Sequence, residues 1–129
     1  MTLDNMILYS FNTRGLANNK KRNEVFQWLK RYNDGIILFQ ETHTDSVSEK
    51  YWQREWDGEI IFAHGTNNSK GVAILLPKNT DYEVKSVVTD ENGRYILLDI
   101  SINDNQYIVL NVYLPTKDKP QDQRILSPS

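Results

Sequence analysis

The feature that most constrains this chain is a short apolar run that leads directly into polar residues. Ile36–Phe39 are all apolar, and Gln40–His43 follow without a break. A continuous apolar run of this length predicts a strand that is buried on both faces of a sheet. The strand would then end with Glu41 at the edge of the sheet, which is where α/β proteins build their sites.

Two other predicted strands carry polar side chains close to their carboxyl ends. The strand at Met6–Phe11 leads into Asn12, and the strand at Tyr107–Leu114 carries Asn111 and Tyr113. Because asparagine is disfavoured within strands, we expect Asn111 to have hydrogen-bond partners. Three strands with polar groups near their ends predict one shared site.

The chemistry of these side chains favours a hard divalent cation. Carboxylate and amide oxygens are the ligands that Mg²⁺ and Mn²⁺ prefer, and Mg²⁺ usually keeps several waters as well. Such a cation is suited to phosphate ester hydrolysis, because it neutralises charge on the phosphoryl oxygens. Glu41, Asn12 and Tyr113 include no convincing general base, so the residues alone predict an electrostatic clamp that lacks its base.

The order of the predicted elements indicates an α/β fold with a mixed sheet and two helices on one face. Short turn-forming loops in the second half predict antiparallel neighbouring strands. A capping box at Ser46–Glu49 predicts the start of the second helix. The predicted strands are Met6–Asn12, Ile36–Gln40, Glu59–His64, Gly71–Leu76, Tyr82–Thr89, Arg94–Ile102 and Gln106–Leu114, and the predicted helices are Lys20–Asn33 and Ser46–Trp56.

The last predicted strand has two different faces. We expect its all-aliphatic face to lie in the core, so that the face carrying Asn111 and Tyr113 looks toward a second layer or a cleft. The aliphatic face consists of Ile108, Leu110, Val112 and Leu114, and the other face of Tyr107, Val109, Asn111 and Tyr113.

Composition narrows the class of protein. The 129 residues are 39% hydrophobic with a formal net charge of -2 and no cysteine, which indicates one globular domain or part of one and excludes disulfides and zinc–thiolate sites. Residues 13–31 carry a local net charge of +5. That patch could meet phosphates, but a solvated helix face explains Lys20–Arg22 better. No apolar stretch approaches the roughly 20 residues of a membrane span, so we expect no membrane partner. The absence of cysteine fits a reducing compartment, and we expect an intracellular, nuclear or cytoplasmic protein.

Five short motifs lie along the chain: Asn12–Leu16, Gln40–His43, Gly71–Leu75, Gly93–Ile96 and Asn111–Pro115. Their order and spacing resemble the endonuclease/exonuclease/phosphatase superfamily, which includes deoxyribonuclease I and the apurinic/apyrimidinic endonucleases. The likeness is greatest to the endonuclease domain at the N-terminus of LINE-type retrotransposon polyproteins. Each motif is weak alone, but five in order make a strong signal.

The resemblance implies catalytic roles for three residues. Glu41 matches the metal-binding glutamate of the family, and Asn12 matches the asparagine that orders the metal site and the phosphate. Tyr113 matches the tyrosine near the scissile phosphate. The implied cofactor is Mg²⁺ or Mn²⁺, bound by Glu41 and Asn12.

The resemblance also suggests supporting residues. His43, Arg14 and Asn111 are expected either to support the metal ligands or to contact DNA. Arg14 stands where repair-type members carry Asp or Asn, which argues for the retroelement branch.

Two later motifs of the family are absent from this sequence. None of its six glycines is followed by aspartate, so there is no Gly-Asp-x-Asn, and no Asp-His pair occurs. The resemblance implies a two-sheet α/β sandwich of the deoxyribonuclease I type in which each half supplies one sheet. We expect residues 1–115 to form the N-terminal half and residues 116–129 a polar tail with little order. The C-terminal half would be the main packing partner, and without it a large apolar face would be exposed.

The expected function is therefore a truncated, metal-dependent phosphodiesterase domain that nicks DNA, of retrotransposon type. It would be inactive alone, because the base and the catalytic histidine of the family are missing. DNA is the expected partner of the intact domain. Two alternatives stay open: a non-catalytic remnant or nucleic-acid-binding module, and a phosphomonoesterase of the same superfamily.

Overall fold

The structure, a computed structural model, describes residues 6–66, 68–78 and 80–115. Single 3₁₀ turns at Lys30–Tyr32 and Ser46–Ser48 adjoin the two helices. The helices are α1 (Asn19–Leu29) and α2 (Glu49–Glu55), and the strands are β1 (Leu8–Asn12), β2 (Ile36–Gln40), β3 (Ile60–Ala63), β4 (Val72–Leu75), β5 (Tyr82–Thr89), β6 (Tyr95–Ile102) and β7 (Asn105–Val112).

A capping side chain precedes α1, and a capping box precedes the 3₁₀ turn that leads into α2. The Asn18 side chain accepts a hydrogen bond from the Lys21 amide at 2.9 Å before α1. The predicted capping box at Ser46–Glu49 was wrong by one residue. The structure uses Asp45, whose side chain accepts from the Ser48 amide at 3.0 Å while the Ser48 hydroxyl accepts from the Asp45 amide. The Glu49 side chain is thereby left for another contact.

The strands form two sheets. In the first, the order is β1-β2-β4-β3, with β1 parallel to β2 and the other pairs antiparallel. The second is an antiparallel meander, β5-β6-β7. The predicted α/β class and the mixed sheet beneath two helices are confirmed. The expectation that each half of the fold supplies one sheet was wrong, because this chain alone contributes strands to both.

Three layers are stacked on two hydrophobic cores. One core lies between the helices and the first sheet, where Phe26, Trp52 and Phe39 pack. The other lies between the two sheets, where Leu38, Ile74 and Leu98 pack. β2 and β4 contribute alternate side chains to both cores, which explains why their sequences are continuously apolar.

The prediction that the aliphatic face of the last strand lies in the core was wrong, whereas the prediction that the face with Asn111 looks toward a second layer is confirmed. Val109 and Asn111 of β7 are buried against the first sheet, whereas Ile108 and Leu110 are 63% and 55% exposed. Cross-strand pairing places Leu97 beside Leu110 and Val88, so an apolar patch covers the outer face of the second sheet. Both faces of β7 are apolar enough for a core, and hydrophobicity alone does not identify which one meets the other sheet. The outer-face patch, as we call it, consists of Val88, Tyr95, Leu97, Ile108, Leu110 and Val112.

The predicted polar tail at 116–129 lies outside the described residues. Within the described ranges, neither helix has the length and apolar character that crossing a membrane requires.

Candidate functional site

Several chain segments meet at one edge of the molecule. β1 and β2 are parallel, so both end at this edge, and the antiparallel β4 begins there. β7 ends and β6 begins on the same side. We call this edge the rim, and it comprises residues 12–16, 41–44, 64–66, 68–71, 90–94 and 113–115.

Backbone hydrogen bonds join the segments of the rim to one another. The Gly15 amide donates to the Glu41 carbonyl at 2.6 Å, and the His43 amide donates to the Lys70 carbonyl at 2.9 Å. The chain of contacts continues from the Gly71 amide to the Gly93 carbonyl at 2.9 Å and from the Tyr113 amide to the Arg94 carbonyl at 2.6 Å. Loops that are tied together in this way present their side chains from a rigid frame.

Unusual backbone conformations are concentrated at the rim. Nine described residues have a positive φ, and seven of them lie in its loops. Arg14, Glu41 and His43 have φ values of 54°, 55° and 57° without being glycine. Each such residue costs on the order of 1–3 kcal/mol, and strain of this kind clusters at functional sites. The clustering marks the rim as the candidate site independently of any motif.

Glu41 and Asn12 are in direct contact at the centre of the rim. Asn12 Nδ2 donates to Glu41 Oε1 at 3.1 Å, and the Arg14 amide donates to Asn12 Oδ1 at 3.2 Å. The second bond sets the orientation of the Asn12 amide, whose NH₂ group therefore faces the carboxylate. The sequence placed both residues at one site, and the structure brings them together.

Tyr113 lies close enough to this pair to sense its charge. Burial raises the pKa of the Tyr113 phenol, and the negative charge of Glu41 raises it further. The phenol therefore keeps its proton over an extended range of alkaline pH and is available as a hydrogen-bond donor.

Asn111 joins the two sheets directly below the rim. Its side-chain Nδ2 donates to the carbonyls of Phe39 at 3.0 Å and Ala73 at 2.8 Å, and its Oδ1 accepts from Gln40 Nε2 at 2.9 Å. The prediction that Asn111 is hydrogen-bonded is confirmed. The Asn111 side chain is buried below the rim surface, and its bond to Gln40 holds the residue that precedes Glu41.

Arg14 and His43 each lie two residues after a member of the Asn12–Glu41 pair. A Cβ atom on Gly15 would fall 2.5 Å from His43 Nδ1, so the imidazole packs directly on the Gly15 backbone. Gly15 also has a φ of 93°, a conformation that favours glycine. Only glycine therefore fits at position 15, against the His43 imidazole.

The basic stretch behind the rim has a structural role at two of its positions. Lys21 Nζ donates to the Thr13 carbonyl at 2.9 Å and so ties α1 to the loop that follows β1. Arg22 is buried and forms an ion pair with Glu55 of α2, with its Nε 2.6 Å from Oε1. The prediction of a solvated face for Lys20–Arg22 was therefore wrong for Arg22.

Two oxygen atoms at the rim are candidate ligands for a cation. Among described residues, Glu41 Oε2 makes no hydrogen bond, and Asn12 Oδ1 has a second lone pair beside the Arg14 amide. The described part of the chain holds no group of three or more His, Cys, Asp or Glu that could bind a metal. The donor set therefore fits an ion that keeps most of its water shell, as Mg²⁺ does.

Sequence reasoning missed one polar cluster that joins two rim segments to α2. Glu49 Oε2 lies 2.5 Å from His64 Nε2, and His64 Nδ1 lies 3.1 Å from Thr44 Oγ1. Thr44 in turn contacts Thr42 at 3.0 Å between the two hydroxyl oxygens. The residues come from α2, the end of β3 and the loop after β2, and no spacing along the chain links them.

The sequence matches the Endonuclease/Exonuclease/phosphatase family over residues 9–127. The chain belongs to this family. The match covers every rim segment and includes Asn12, Glu41 and Tyr113.

A relative in sequence comes from a mobile element. The chain is 33% identical over 107 residues to the Transposon TX1 uncharacterized 149 kDa protein of Xenopus laevis. The aligned region covers 83% of this chain and 8% of that protein. The predicted likeness to transposon proteins of this family is confirmed.

Solved structures share the fold. Truncated TDP2 of Caenorhabditis elegans superposes with a TM-score of 0.63 at 22% identity, covering 91% of this chain and 49% of that one. The AP endonuclease LMAP of Leishmania major gives a TM-score of 0.65 at 13% identity, covering 92% and 43%. An AP endonuclease of Archaeoglobus fulgidus gives 0.58 at 24% identity, covering 91% and 45%. The chain thus spans about half or less of the structures that it resembles.

Proposed function

We propose that this chain carries the metal- and phosphate-binding part of a divalent-cation-dependent phosphodiesterase domain that nicks DNA. The observation that carries the proposal is the hydrogen bond between Asn12 Nδ2 and Glu41 Oε1, 3.1 Å long, at the strained edge where both sheets meet. Family membership and the names of the structural relatives, which include AP endonucleases, support the same chemistry.

Each residue of the central group has a distinct part in the proposed reaction. Glu41 would hold Mg²⁺ or Mn²⁺ through its second oxygen, and Asn12, which holds the carboxylate in place, would offer its own oxygen as a second ligand. The cation, when bound, neutralises charge on the phosphoryl group. Tyr113 donates a hydrogen bond to a phosphoryl oxygen, because burial and the charge of Glu41 keep its phenol protonated.

The rim also offers positive charge for a nucleic-acid backbone. Arg14, His43 and Lys70 lie on three loops joined by backbone hydrogen bonds around Glu41. We propose that these side chains contact the phosphates of a DNA strand, which would place the protein in the nucleus or the cytoplasm. Binding should therefore weaken steeply as salt concentration rises.

We infer that residues 1–129 do not complete the catalytic group. The sequence contains neither an Asp-His pair nor a Gly-Asp-x-Asn motif, so no candidate for the family's base is present. The outer-face patch supports the same inference, because large apolar patches on a protein surface mark interaction sites. We propose that residues 1–115 form one half of the domain and that a second half of the fold packs on this patch.

Cation binding tests the proposed site directly. We expect Mn²⁺ to bind the chain, as measured by electron paramagnetic resonance, and Glu41→Gln to weaken binding by more than about tenfold, since even loss of a supporting residue has an effect of that size. Glu83→Gln is the matched control, because Glu83 lies on β5 in an exposed ion pair with Lys85. Equal affinity in Glu41→Gln and the parent would reject Glu41 as a ligand.

Plasmid nicking tests the proposed incompleteness. We expect no Mg²⁺-dependent nicking of supercoiled plasmid by the 129-residue chain. Robust nicking that disappears in Glu41→Ala would show that the chain is catalytically complete. DNA binding that is indifferent to Mg²⁺ and to Glu41→Gln would instead favour a non-catalytic binding module.

A further inference from the structure

A chain of hydrogen-bonded side chains leads from α2 to the residue that follows Glu41. It runs from Glu49 to His64 at 2.5 Å, from His64 to Thr44 at 3.1 Å and from Thr44 to Thr42 at 3.0 Å. We call these four residues the relay. None of them touches the proposed cation or phosphate, so the proposed chemistry leaves the cluster unexplained.

The inner half of the relay is closed to solvent. Thr42 and Thr44 are 0% and 1% exposed. Gly71 packs on the Thr42 hydroxyl so closely that a Cβ atom there would collide with the oxygen. Buried hydroxyls need hydrogen-bond partners, and in the described chain each of these two has the other as a partner. The threonine pair is therefore oriented from within the protein.

The direction of the hydrogen bonds follows from the carboxylate at the outer end. An ionised Glu49 only accepts, so His64 Nε2 donates to it. In the tautomer with its one ring proton on Nε2, the imidazole presents Nδ1 as an acceptor, so that Thr44 donates to Nδ1 and accepts from Thr42. In that tautomer each hydroxyl proton has one defined place.

Thr42 is the point at which the relay acts on the rim. It lies between Glu41 and His43, which both have a left-handed backbone with φ values of 55° and 57°. Such a segment relaxes to an ordinary conformation unless its surroundings hold it. The Thr42 side chain is buried and hydrogen-bonded between the two strained residues, so it holds the backbone that aims the Glu41 carboxylate at Asn12.

We propose that His64 is a positioning residue for Glu41, acting through Thr44 and Thr42, and that Glu49 fixes the orientation of the His64 imidazole. The part of this proposal that concerns cation affinity rests on the proposed function. Its structural part, the alignment of Glu41 with Asn12, does not depend on a cation.

Two isosteric variants of His64 separate this role from a general contribution to folding. Asn places a polar atom near the position of Nδ1, and Gln places one near Nε2. His64→Asn therefore keeps the contact with Thr44, and His64→Gln keeps only the contact with Glu49. Both variants lose the stacking of the imidazole on Phe62. We expect Mn²⁺ affinity to fall about tenfold in His64→Gln and to stay within about threefold of the parent in His64→Asn.

The threonine step is tested by removal and rescue of the hydroxyl. Thr44→Val keeps the shape of the side chain and removes the hydrogen bonds, so we expect about a tenfold loss of Mn²⁺ affinity. Thr44→Ser restores the hydroxyl and should restore affinity. Thr89→Val, on the exposed end of β5, is the matched control and should behave as the parent does.

A second measurement needs no metal. The Asn12 side-chain NH₂ signals in heteronuclear NMR report the hydrogen bond to Glu41. We expect these signals to move in His64→Gln and Thr44→Val and to keep their parental positions in His64→Asn and Thr44→Ser. Unchanged signals in all four variants would overturn the proposal.

The two measurements distinguish failure of the proposal from failure of the proposed function. A parent chain that binds no Mn²⁺ rejects the proposed function, and the NMR signals alone then decide whether the relay positions Glu41. Normal Mn²⁺ affinity in Thr44→Val and His64→Gln, in a parent that binds Mn²⁺, would reduce the relay to a structural contact and overturn its positioning role.

Discussion

The two sheets of this molecule are covered to different extents. The four-stranded sheet lies between the helices and the second sheet, so its central strands are buried on both faces. The three-stranded sheet is covered on its inner face, and its outer face presents the outer-face patch to solvent. Both sheets have apolar residues on both faces, so composition alone does not reveal which surfaces find a partner. The difference identifies the outer-face patch as the surface on which the proposed second half of the fold would pack.

Neighbouring leucines in β6 give the sharpest test of this contrast. Leu98 is fully buried between the sheets, and Leu97 is 38% exposed on the outer face. We expect Leu98→Ala to lower the free energy of unfolding by about 2–5 kcal/mol, because it opens a cavity. Leu97→Ala should cost less than about 1 kcal/mol. Chemical denaturation measures both, and equal losses would mean that the outer face is covered in solution.

One buried amide adds hydrogen bonds to the apolar contact between the sheets. Asn111→Ala leaves the carbonyls of Phe39 and Ala73 without their side-chain donor, so we expect a loss of about 1–3 kcal/mol in unfolding free energy. Gln106→Ala is the control within the same strand, since its hydrogen bond to Asp99 is exposed. A loss in Asn111→Ala no greater than that in the control would show that the sheets stay together without this bridge.

Alkaline pH should affect the junction of the two sheets through Tyr82. Burial and a hydrogen bond from its phenol to Glu59 raise the pKa of Tyr82 to about 12. The folded chain therefore keeps a proton that the unfolded chain loses above pH 10, the ordinary value for tyrosine. This contribution to stability is complete below pH 10 and declines as the pH rises toward 12.

Removing the Glu59 charge tests that assignment. Glu59→Gln should lower the pKa of Tyr82 while leaving the part due to burial, and tyrosinate absorbance measures the titration. Glu83→Gln serves as the control. The assignment fails if the alkaline titration of Glu59→Gln coincides with that of the parent.

Exposed ion pairs on the second sheet should contribute least to the free energy of unfolding. Lys85 and Glu83 form an exposed ion pair on β5, with 3.1 Å between Nζ and Oε1. By contrast, Arg22 of α1 pairs with Glu55 of α2, and both side chains are largely buried. We expect Lys85→Ala to change the free energy of unfolding by no more than about 1 kcal/mol, because water screens the pair. Thermal and chemical unfolding in low and high salt measure the effect. A larger loss of unfolding free energy would mean that the Lys85–Glu83 pair is less exposed to water than the structure indicates.

Much of the site could be predicted because its residues follow strand ends. Asn12 and Glu41 each come directly after an apolar run, and parallel pairing of those runs brings their ends together. The relay could not be predicted, because Glu49 and His64 are separated from Thr42 and Thr44 by loops whose paths no local pattern encodes. A capping interpretation of Glu49 was locally reasonable, yet its side chain bonds to His64 instead.

The sequence by itself determined the strands, the helices and the polar residues at the strand ends, since alternation and turn residues are local properties of the chain. Only the tertiary structure decided that the strands divide between two sheets and that Asn111, not its aliphatic neighbours, faces inward. Periodicity shows that a strand has two faces, but the choice of the inner face depends on which surface of a distant segment packs against it. The same dependence on distant segments placed the relay behind Glu41.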